Sequence, residues 1–347
     1  MKSVSRGIIG LIVVSAILLL SDLQNRNKPK FIPRTIDQEH STVLPDKKFK
    51  LALVHYVDSH HTEDCEKGLR KLLEDKNLRE DVNFTLKVYN AQGDISTLNS
   101  IAGSVANETW DLIFTSSTPT IQMLAKKLPD AKMVFTNVGD PLVVGLGKSF
   151  EDHLPNICGI STMSDFDGLL KMVLILHPSI KRVGTVFTPA EGNSVSYKER
   201  LEVAAKSRGL ELISSPANTS TEVLEAANAL VAQGIEAFCQ ISDNLTGTCS
   251  AAIIKVSQGS KVPYYGFVSQ QISQGAIAVC ARDYFQAGYE AGQMGIDILA
   301  GKSPAVIPFR FVEKTNFLIN LENARFYNVT VPKRLFNDIP QLKTIEK

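Results

Sequence analysis

Short apolar runs of strand length alternate with stretches of helical periodicity along most of the chain. A continuous apolar run bounded by polar residues is typical of a strand buried on both faces, and strand–helix alternation is typical of parallel sheets covered by helices. The pattern occurs twice between Lys48 and Pro332, which predicts an α/β fold with two parallel-sheet lobes. The predicted strands are 50–56, 84–89, 112–115, 133–136, 183–187, 237–241, 262–267 and 276–279. The predicted helices lie near 62–76, 95–108, 119–128, 166–177, 194–208, 221–233, 245–258 and 284–300.

Polar side chains follow equivalent strands in the two copies. In the first copy, the apolar run that ends at Thr115 is followed by three hydroxyl residues and then by Pro119. In the second copy, the run 182–187 is followed by a loop that ends at Ser194, where another helix begins. In open parallel sheets, ligands bind beyond the carboxyl ends of the strands. The residues that we expect to contact a ligand there are Tyr56, Ser116, Ser117, Thr118, Asn193, Ser194, Asp243 and Asn244.

These strand ends also predict the chemistry of the ligand. Unpaired backbone N–H groups at a helix N-terminus attract an anionic group, and the hydroxyls and amides add donors for a carboxylate. The acidic side chains are acceptors for an ammonium group, and Tyr56 offers a flat surface. The mixture suits a small zwitterion held between two lobes. The alternative is structural: the hydroxyl, amide and acidic residues could be helix caps, and Tyr56 could be part of the core.

The composition narrows the class of protein. A chain of 347 residues with 44% hydrophobic and 21% charged residues is long enough for two α/β domains. A net charge of +1 provides no basic surface for nucleic acid, so no nucleic-acid partner is expected. The sequence has no G-x-S-x-G elbow, P-loop or dinucleotide fingerprint, so no cofactor is expected. Binding without catalysis is therefore favoured over an α/β enzyme.

The N-terminal segment has the pattern of an export signal. Lys2 and Arg6 precede an apolar run, Ile8–Leu20, which is short for a transmembrane span. Ser21 stands where a lipoprotein signal would need a cysteine, so we favour an uncleaved anchor over 1–22, with a cleaved signal as the alternative. Residues 23–47 are polar and contain prolines, which predicts a tether. We therefore expect export to the periplasmic or extracellular face of the cytoplasmic membrane.

The cysteine and histidine residues show no metal-binding pattern. Five cysteines lack C-x-x-C spacing, which argues against a zinc or redox motif. Buried, unpaired cysteines are favoured, with a Cys239–Cys249 bridge as the alternative. His60 and His61 lie among acidic residues, but adjacent histidines rarely converge on one ion, so a solvated loop is expected there. No bound metal is predicted.

Several motifs, taken in order, resemble those of one family. They are Asn90–Asp94, Asp111–Pro119, Val134–Pro141, Glu191–Ser194, Ser242–Asn244 and Arg282–Phe285, followed by Gly288. The family is that of the tryptophan/tyrosine-type solute-binding proteins of ABC importers, which have the type 1 periplasmic binding protein fold. The resemblance covers nearly everything after the predicted tether, and several motifs in the same order are more specific than any one alone.

The resemblance implies two Rossmann-like lobes joined by a three-stranded hinge. The first lobe would comprise 48–158 plus 283–310, and the second 159–282 plus 311–335. The crossings would lie near 158–162, 280–283 and 309–314. The site residues that it implies are Ser117 and Thr118 in the first lobe and Asn193, Ser194 and Asp243 in the second, with Asp283 at the hinge.

The resemblance also implies a function. A protein of this kind closes on an amino acid or similar small molecule and delivers it to an ABC permease in the membrane; we favour an aromatic ligand and a monomeric protein. The chain departs from the family at Gly192, where alanine is usual, and at 268–270, where an acidic residue is common. Because the lipoprotein cysteine is also missing, a membrane-anchored sensing module for a signalling receptor is the alternative.

Overall fold

The computed structural model describes residues 44–45 and 47–345. The predicted anchor, residues 1–22, and most of the predicted tether, residues 23–47, lie outside the described residues. Of the helices that the structure describes, none combines the length and the hydrophobicity needed to cross a membrane.

The strands are short and mostly apolar. In chain order they are β1 (Phe49–His55), β2 (Phe84–Asn90), β3 (Leu112–Ser116), β4 (Met133–Val138), β5 (Ile157–Ser161), β6 (Arg182–Phe187), β7 (Glu211–Pro216), β8 (Ala237–Gln240), β9 (Tyr264–Gly266), β10 (Ala278–Arg282), β11 (Arg310–Phe311), β12 (Thr315–Asn320) and β13 (Lys343–Ile345). Every residue of β3, β5 and β8 is buried, which is the burial that continuous apolar runs predict for central strands.

Helices follow most of the strands. In chain order they are α1 (His60–Asp75), α2 (Ile95–Ala106), α3 (Thr118–Lys127), α4 (Phe166–Leu176), α5 (Gly192–Ser207), α6 (Ser220–Ala232), α7 (Asn244–Thr248), α8 (Ser250–Ser260), α9 (Gln271–Gln274), α10 (Tyr284–Leu299), α11 (Leu321–Phe326) and α12 (Lys333–Asp338). A single 3₁₀ turn, Pro304–Val306, lies between α10 and β11 in the described chain.

The strands form two sheets. The first has the order β11-β5-β4-β3-β1-β2, and all of its strand pairs are parallel. The second has the order β13-β12-β10-β9-β8-β6-β7. We call the first sheet, together with the helices packed on it, lobe 1, and the second sheet with its helices lobe 2. The prediction of an α/β fold with two sheets of mostly parallel strands is confirmed.

One strand pair of lobe 2 departs from the predicted parallel arrangement. β10 and β12 are antiparallel neighbours. β10 leaves lobe 2 at its carboxyl end, whereas β12 enters lobe 2 from β11 of lobe 1. β10 therefore runs towards lobe 1, and β12 runs away from it. The antiparallel pair is therefore a consequence of the chain returning from lobe 1.

Within residues 47–345, the chain passes between the sheets three times. The passages follow β5, β10 and β11, and they end at α4, α10 and β12. β5 pairs with β4 up to Ser161, and β13 extends the second sheet to Ile345. The sheets show which segments are bonded together, but not which segments move together, so the predicted lobe boundaries and hinge stay a prediction.

Each sheet is covered on both faces. In lobe 1, α1 and α10 cover one face and α2 and α3 the other. In lobe 2, α4, α5, α11 and α12 contribute to one core and α6, α8 and α9 to the other. Two glycines allow α1 and α10 to touch. A Cβ on Gly68 would lie 1.9 Å from Phe285 O, and a Cβ on Gly288 would lie 1.9 Å from Cys65 O. The two backbones are therefore in direct contact at these positions.

Three local predictions were wrong. The predicted helix 245–258 is two helices, because α7 ends at Thr248 and the chain turns at Cys249 before α8 begins. β7 was not predicted, because it is a partly exposed edge strand and needs no continuous apolar run. His60 and His61 start α1 rather than lying in a solvated loop. His61 is buried, because its ring stacks on Tyr284 at a centroid distance of 4.0 Å.

Candidate functional site

The carboxyl ends of three strands lie side by side at one edge of lobe 1. His55 is opposite Ser116 in the β1–β3 register, and Ser116 is opposite Thr136 in the β3–β4 register. Parallel strands bring the residues that follow them to the same edge of the sheet. We call Tyr56 and Ser116–Thr118, which are at these strand ends, the lobe 1 edge.

Ser117 has an unusual backbone and does not use its side chain as a cap. Its φ is 97° and its ψ is 156°, a conformation that L residues rarely adopt. Its hydroxyl lies 3.0 Å from Thr120 Oγ1. Within the described chain, that hydroxyl caps no backbone N–H group of α3, and Pro119 has no N–H of its own. The first turn of α3 therefore presents backbone N–H groups to an anion, without competition from a capping side chain.

Tyr56 lies where the two lobes face each other. Its hydroxyl donates to Gly93 O at 2.6 Å. Burial raises the pKa of Tyr56, and the carboxylates of Glu191 and Asp94 raise it further. Glu191 belongs to lobe 2, so its field reaches Tyr56 across the cleft. Tyr56 and Glu191 therefore lie near each other on opposite sides of the cleft.

Ser116 faces the interior of lobe 1 rather than the cleft. Its Oγ is buried and has no hydrogen-bond partner among the described residues. It lines an internal cavity with His55, Thr136 and Cys65, where Cys65 Sγ lies 3.4 Å from Thr136 Oγ1. Ser116 therefore lies beneath the other residues of the lobe 1 edge, and its contact with a ligand stays a prediction. Ser117 and Thr118 come next in the chain at the start of α3.

The facing edge of lobe 2 is organised by a carboxylate. Glu191 Oε2 accepts hydrogen bonds from Asn244 N at 3.0 Å and from Asn244 Nδ2 at 2.7 Å. It also accepts one from Asn193 Nδ2 at 3.3 Å, and its Oε1 accepts one from Leu245 N at 3.2 Å. Glu191 thus connects the start of α5 to the start of α7. We call Glu191, Asn193, Ser194, Asp243 and Asn244 the lobe 2 edge.

Ser194 and Asp243 form the second connection within this edge. Ser194 Oγ donates to Asp243 Oδ2 at 2.5 Å and accepts from Thr188 N at 2.7 Å. Asp243 Oδ1 accepts from Thr246 N at 2.6 Å, so Asp243 is the N-cap of α7. Asp243 therefore caps α7, and its second oxygen is bonded to Ser194. Contact between Asp243 and a ligand stays a prediction.

Burial shifts the protonation of both carboxyl groups. Burial, followed by the charge of Asp243, raises the pKa of Glu191 to about 7, although hydrogen bonds from Asn244 and Asn193 act in the opposite direction. Burial also raises the pKa of Asp243, against hydrogen bonds from Ser194 and Thr246 that favour the carboxylate. A nearby cation would stabilise the ionised form of both groups. The lobe 2 edge is therefore suited to a positively charged ligand group.

Asn193 has an acceptor without a partner. Its side chain is 9% exposed, and its Nδ2 donates to Glu191. Its Oδ1 is buried and bonds to no group among the described residues. Because a buried polar atom without a hydrogen bond costs stability, such an atom calls for an explanation. A donor supplied by a ligand would satisfy Asn193 Oδ1.

Side-chain contacts hold the two lobes against each other. Arg200 of α5 pairs with Asp140, which follows β4 and is 9% exposed. Gly139 lies against Tyr197 of α5, because a Cβ there would lie 2.0 Å from the tyrosine hydroxyl. These contacts bring the loop after β4 directly onto α5. The two lobes are therefore in direct contact at this position.

A second group of contacts lies beside α1. His61 Nε2 lies 3.5 Å from Ser242 Oγ of lobe 2. Gln270 Nε2 donates to Asp64 Oδ2 at 3.0 Å. Ser242 directly precedes Asp243 of the lobe 2 edge. The lobes therefore also meet at the N-terminal turn of α1.

Asp283 belongs to neither edge. It caps α10 by accepting from Gln286 N at 3.0 Å, and its Oδ2 lies 2.6 Å from Lys314 Nζ. Burial acts to raise the pKa of Asp283, but hydrogen bonds from Lys314, Gln286 and Asn316 and the charge of Lys314 together outweigh it, so the pKa is below its ordinary value. The pair joins the passage after β10 to the passage after β11. Contact between Asp283 and a ligand stays a prediction.

The sequence interpretation missed two residues of this region as site residues. Glu191 was noted at a strand end and in a motif but was not predicted to be a site residue, although it bonds both segments of the lobe 2 edge. Its partner Asn244 lies 53 residues away in the chain, so no local pattern relates them. His61 was assigned to a loop because it is polar. The signal that could have indicated burial was its position four residues before Cys65, on the apolar face of α1.

The cysteines and the possible metal ligands form no further site. All five cysteines are free, and all but Cys249 are buried. The alternative of a Cys239–Cys249 bridge is therefore not what the structure shows. Among the residues that the structure describes, no group of three or more histidine, cysteine or acidic side chains could hold a metal ion.

The chain is similar to known binding proteins. The family model described as ABC transporter substrate binding protein matches residues 50–342. A tyrosine-binding protein of Clostridioides difficile (strain R20291) is 32% identical over 274 residues, which are 79% of each chain.

Solved structures show the same fold. A conserved domain protein from Vibrio cholerae has a TM-score of 0.80 at 26% identity, covering 86% of this chain and 99% of that one. An ABC domain from Streptococcus pneumonia in complex with L-Trp has a TM-score of 0.78 at 20% identity, covering 84% and 100%. The ligand-free, open structure of a substrate-binding protein with adhesive properties from Clostridium difficile has a TM-score of 0.66 at 26% identity, covering 86% and 99%.

The family match includes the first sheet almost entirely, the second sheet except β13, and both edges of the cleft. The resemblance drawn from the sequence motifs is confirmed. The chain therefore belongs to the ABC transporter substrate-binding proteins, a family of binding proteins rather than enzymes.

Proposed function

We propose that the cleft between the lobe 1 edge and the lobe 2 edge binds a free L-amino acid with an aromatic side chain. The ligand class is supported by the name of the 32%-identical relative, a tyrosine-binding protein. The chemistry of the cleft supports it independently, because one edge offers donors and the other offers acceptors. A zwitterion satisfies both edges at once.

The two edges give the ligand an orientation. Its carboxylate lies at Ser117 and Thr118, where backbone N–H groups of α3 and hydroxyl groups converge. Its ammonium lies at the lobe 2 edge, near Asn193 and Asp243. The observation that carries the proposal is the buried Asn193 Oδ1, which has no partner among the described residues. An ammonium group would supply the missing donor.

Closure of the two lobes accompanies binding in this proposal. The chain superposes better on the L-Trp complex, with a TM-score of 0.78, than on the ligand-free, open structure, with a TM-score of 0.66. The contacts of Arg200 with Asp140 and of Gln270 with Asp64 would break if the lobes separated. The three passages after β5, β10 and β11 are the hinge, and lobes 1 and 2 move as units.

A melting screen tests the ligand class. A ligand that binds only the folded protein stabilises it by about 2.7 kcal/mol at a hundredfold excess over Kd. We expect the full chain to show its largest increase in Tm with L-tyrosine or L-tryptophan, and none with the matching D-amino acids. An increase with a sugar or a nucleoside, together with no response to any amino acid, would refute the proposed ligand class.

We further propose that the chain is exported, acts as a monomer and delivers its ligand to an ABC permease. Family membership supports this role, since such proteins serve ABC transporters. Uptake of labelled tyrosine by cells with and without the gene tests it. Loss of uptake on deletion is the expected result. Uptake that is unchanged by deletion, while the purified chain still binds tyrosine, would favour the sensing module instead.

A further inference from the structure

Gly139 of lobe 1 is packed against the side chain of Tyr197 of lobe 2. A Cβ at position 139 would lie 2.0 Å from the tyrosine hydroxyl oxygen, 2.2 Å from Cε1 and 2.5 Å from Cζ. Carbon atoms in van der Waals contact are about 3.5–4.0 Å apart. Any side chain larger than hydrogen at position 139 would therefore collide with Tyr197 while the lobes are together.

The collision would depend on the arrangement of the lobes. The three atoms nearest to that Cβ position all belong to Tyr197, so they move away from Gly139 when the lobes separate. The φ of Gly139 lies outside the positive range, so alanine can adopt its backbone conformation. A methyl group at position 139 therefore opposes the contact between the lobes rather than the folding of lobe 1.

The backbone around Gly139 is held in place within lobe 1. Its carbonyl oxygen accepts a hydrogen bond from Ser161 Oγ at 2.5 Å. The carbonyl oxygen of Val138, which is buried, accepts one from Thr162 N at 2.9 Å. Both donors lie at the end of β5, where the first passage between the lobes begins. Gly139 is therefore unable to retreat from an added methyl group without breaking these bonds.

The ring of Tyr197 is held in place within lobe 2. Tyr197 is buried and belongs to the lobe 2 core. Its ring meets that of Phe166 edge-on at a centroid distance of 5.9 Å, and Phe166 meets Phe267 at 5.2 Å. In a close-packed core, extra volume forces side chains out of their preferred rotamers. The ring therefore cannot move aside without disturbing this core.

The contact connects the two segments that carry the edges of the cleft. α5 carries Asn193 in its first turn and Tyr197 one turn later. Gly139 follows β4, and β4 is the neighbour of β3, which leads to the lobe 1 edge. Burial, followed by the charges of Asp140 of lobe 1 and Asp243 of lobe 2, raises the pKa of Tyr197. Its hydroxyl therefore lies near acidic groups of both lobes.

We propose that Gly139 leaves the space that Tyr197 needs when the lobes are together, and that this contact limits how far the lobes close on a ligand. The inference rests on the proposed function, because it takes closure to accompany binding. Since the contact lies beside the first passage, a small displacement there corresponds to a large change in the angle between the lobes. A methyl group at position 139 lowers the closed population, and the apparent affinity falls with it.

Calorimetric titration of the full chain with L-tyrosine tests the proposal. We expect Gly139→Ala to bind about 10–100-fold more weakly than the parent, the usual cost of overpacking, while its Tm without ligand is unchanged. Gly103→Ala is the matched control, since it adds the same methyl group to α2 of lobe 1. In the described chain, a Cβ there would meet no heavy atom within 4 Å outside its own helix backbone. We expect this control to bind like the parent.

A second substitution tests whether Tyr197 is the partner in the collision. Tyr197→Leu removes the hydroxyl, Cε1 and Cζ. In this background, Gly139→Ala should weaken binding by about twofold or less, so the two changes are coupled. Thermal melts show whether Tyr197→Leu folds. If it does not, Tyr197→Phe, which removes only the nearest atom, should give a partial rescue.

Cross-linking measures closure without a ligand. Gln270 and Asp64 are bonded across the lobes at 3.0 Å, so cysteines at these positions come within reach of a short bifunctional maleimide when the lobes are together. Cys249→Ser in every variant removes the cysteine that is not buried. Even a minor closed population gives a measurable rate. We expect Gly139→Ala to slow the reaction by a factor similar to its loss of affinity, and Tyr197→Leu to restore the rate.

Equal affinity and equal cross-linking in Gly139→Ala and Gly103→Ala would overturn the inference, and the proposed function would stand if the parent binds L-tyrosine. A loss that persists in the Tyr197→Leu background would also overturn it, because the methyl group would then act within lobe 1. Failure of Gly139→Ala to fold would have the same meaning. A parent that does not bind L-tyrosine would refute the proposed ligand class, and the cross-linking rates would still decide the inference.

Discussion

The lobe 1 edge and the lobe 2 edge face the same cleft, but they are built differently. The lobe 1 edge uses neutral hydroxyls and the start of α3, and Ser117 does not cap that helix. The lobe 2 edge contains the buried carboxyl group of Asp243 and the partly buried carboxyl group of Glu191, each already bonded to two or more donors. Burying a charged group is costly unless hydrogen bonds accompany it, whereas a neutral hydroxyl costs far less. The carboxyl groups of the lobe 2 edge therefore need their hydrogen bonds before a ligand binds, whereas the hydroxyls of the lobe 1 edge do not.

Replacement of Asp243 should have the largest effect on this comparison. Asp243→Ala leaves Ser194 Oγ and Thr246 N without their acceptor and removes a carboxylate near the proposed ammonium. We expect a loss of about 2–5 kcal/mol of binding free energy, together with a lower Tm, because the edge itself is disrupted. Asp243→Asn, which keeps one acceptor oxygen, is the matched control and should lose less. Calorimetry measures the affinity of both variants, and thermal melts measure their Tm. An unchanged affinity in Asp243→Ala would contradict the idea that this edge is formed before the ligand binds.

Replacing Thr118 or Asn193, one residue on each edge, should weaken ligand binding but lower the stability of the fold less than Asp243→Ala does. We expect Thr118→Ala and Asn193→Ala each to lose roughly 1–3 kcal/mol of binding free energy, because a charged ligand group loses a hydrogen bond. Folding should hardly change. The double variant should lose less than the sum, since either change impairs the closure that brings the other residue to the ligand. If both variants have a lower Tm but bind the ligand as tightly as the parent, these residues have only a structural role.

Because Glu191 belongs to the lobe 2 edge, its titration should make ligand affinity depend on pH through that edge alone. Its pKa of about 7 is above the ordinary value of 4.5, so its contribution to the stability of the free protein is full below about pH 4.5 and is lost as pH rises to 7. A bound ammonium favours the carboxylate, so affinity should rise severalfold from pH 6 to pH 8, with release of protons. Glu191→Gln should flatten this dependence, as measured by calorimetry in buffers of different ionisation enthalpy. Equal proton release by parent and variant would assign the effect to another group.

The inter-lobe ion pair should have the smallest effect. Arg200 is about half exposed, and ion pairs of this kind contribute about 0.2–1 kcal/mol. We expect Arg200→Ala to weaken binding by no more than this, with a smaller difference at high salt. Lys198→Ala, which removes a pair with Glu202 within α5, is the control and should not change affinity. A loss of binding free energy greater than about 1 kcal/mol would mean that closure depends on the Arg200–Asp140 pair more than on contacts between the ligand and the two edges.

Burial explains which parts of the fold could be predicted from the sequence. β3 and β8 are buried throughout and stand out as apolar runs. β7 is a partly exposed edge strand that includes Ser214 and Ser215, and it gave no such signal. The strand ends could be predicted as the place of the site, because parallel strands finish at one edge. The role of Glu191 could not, because it depends on Asn244, which only the fold brings close.

The glycine contact between α1 and α10 bears on the mechanics of closure. α10 begins at Tyr284, immediately after the second passage between the lobes, and α1 begins at His60, next to the contact of His61 with Ser242 of lobe 2. With no side chain between them at Gly68 and Gly288, these helices cannot slide past each other without a collision of their backbones. A rotation at the passage is thus transmitted to the N-terminal turn of α1 without a shift between the two helices. In the proposed closure, the angle between the lobes would therefore change while lobe 1 keeps its shape.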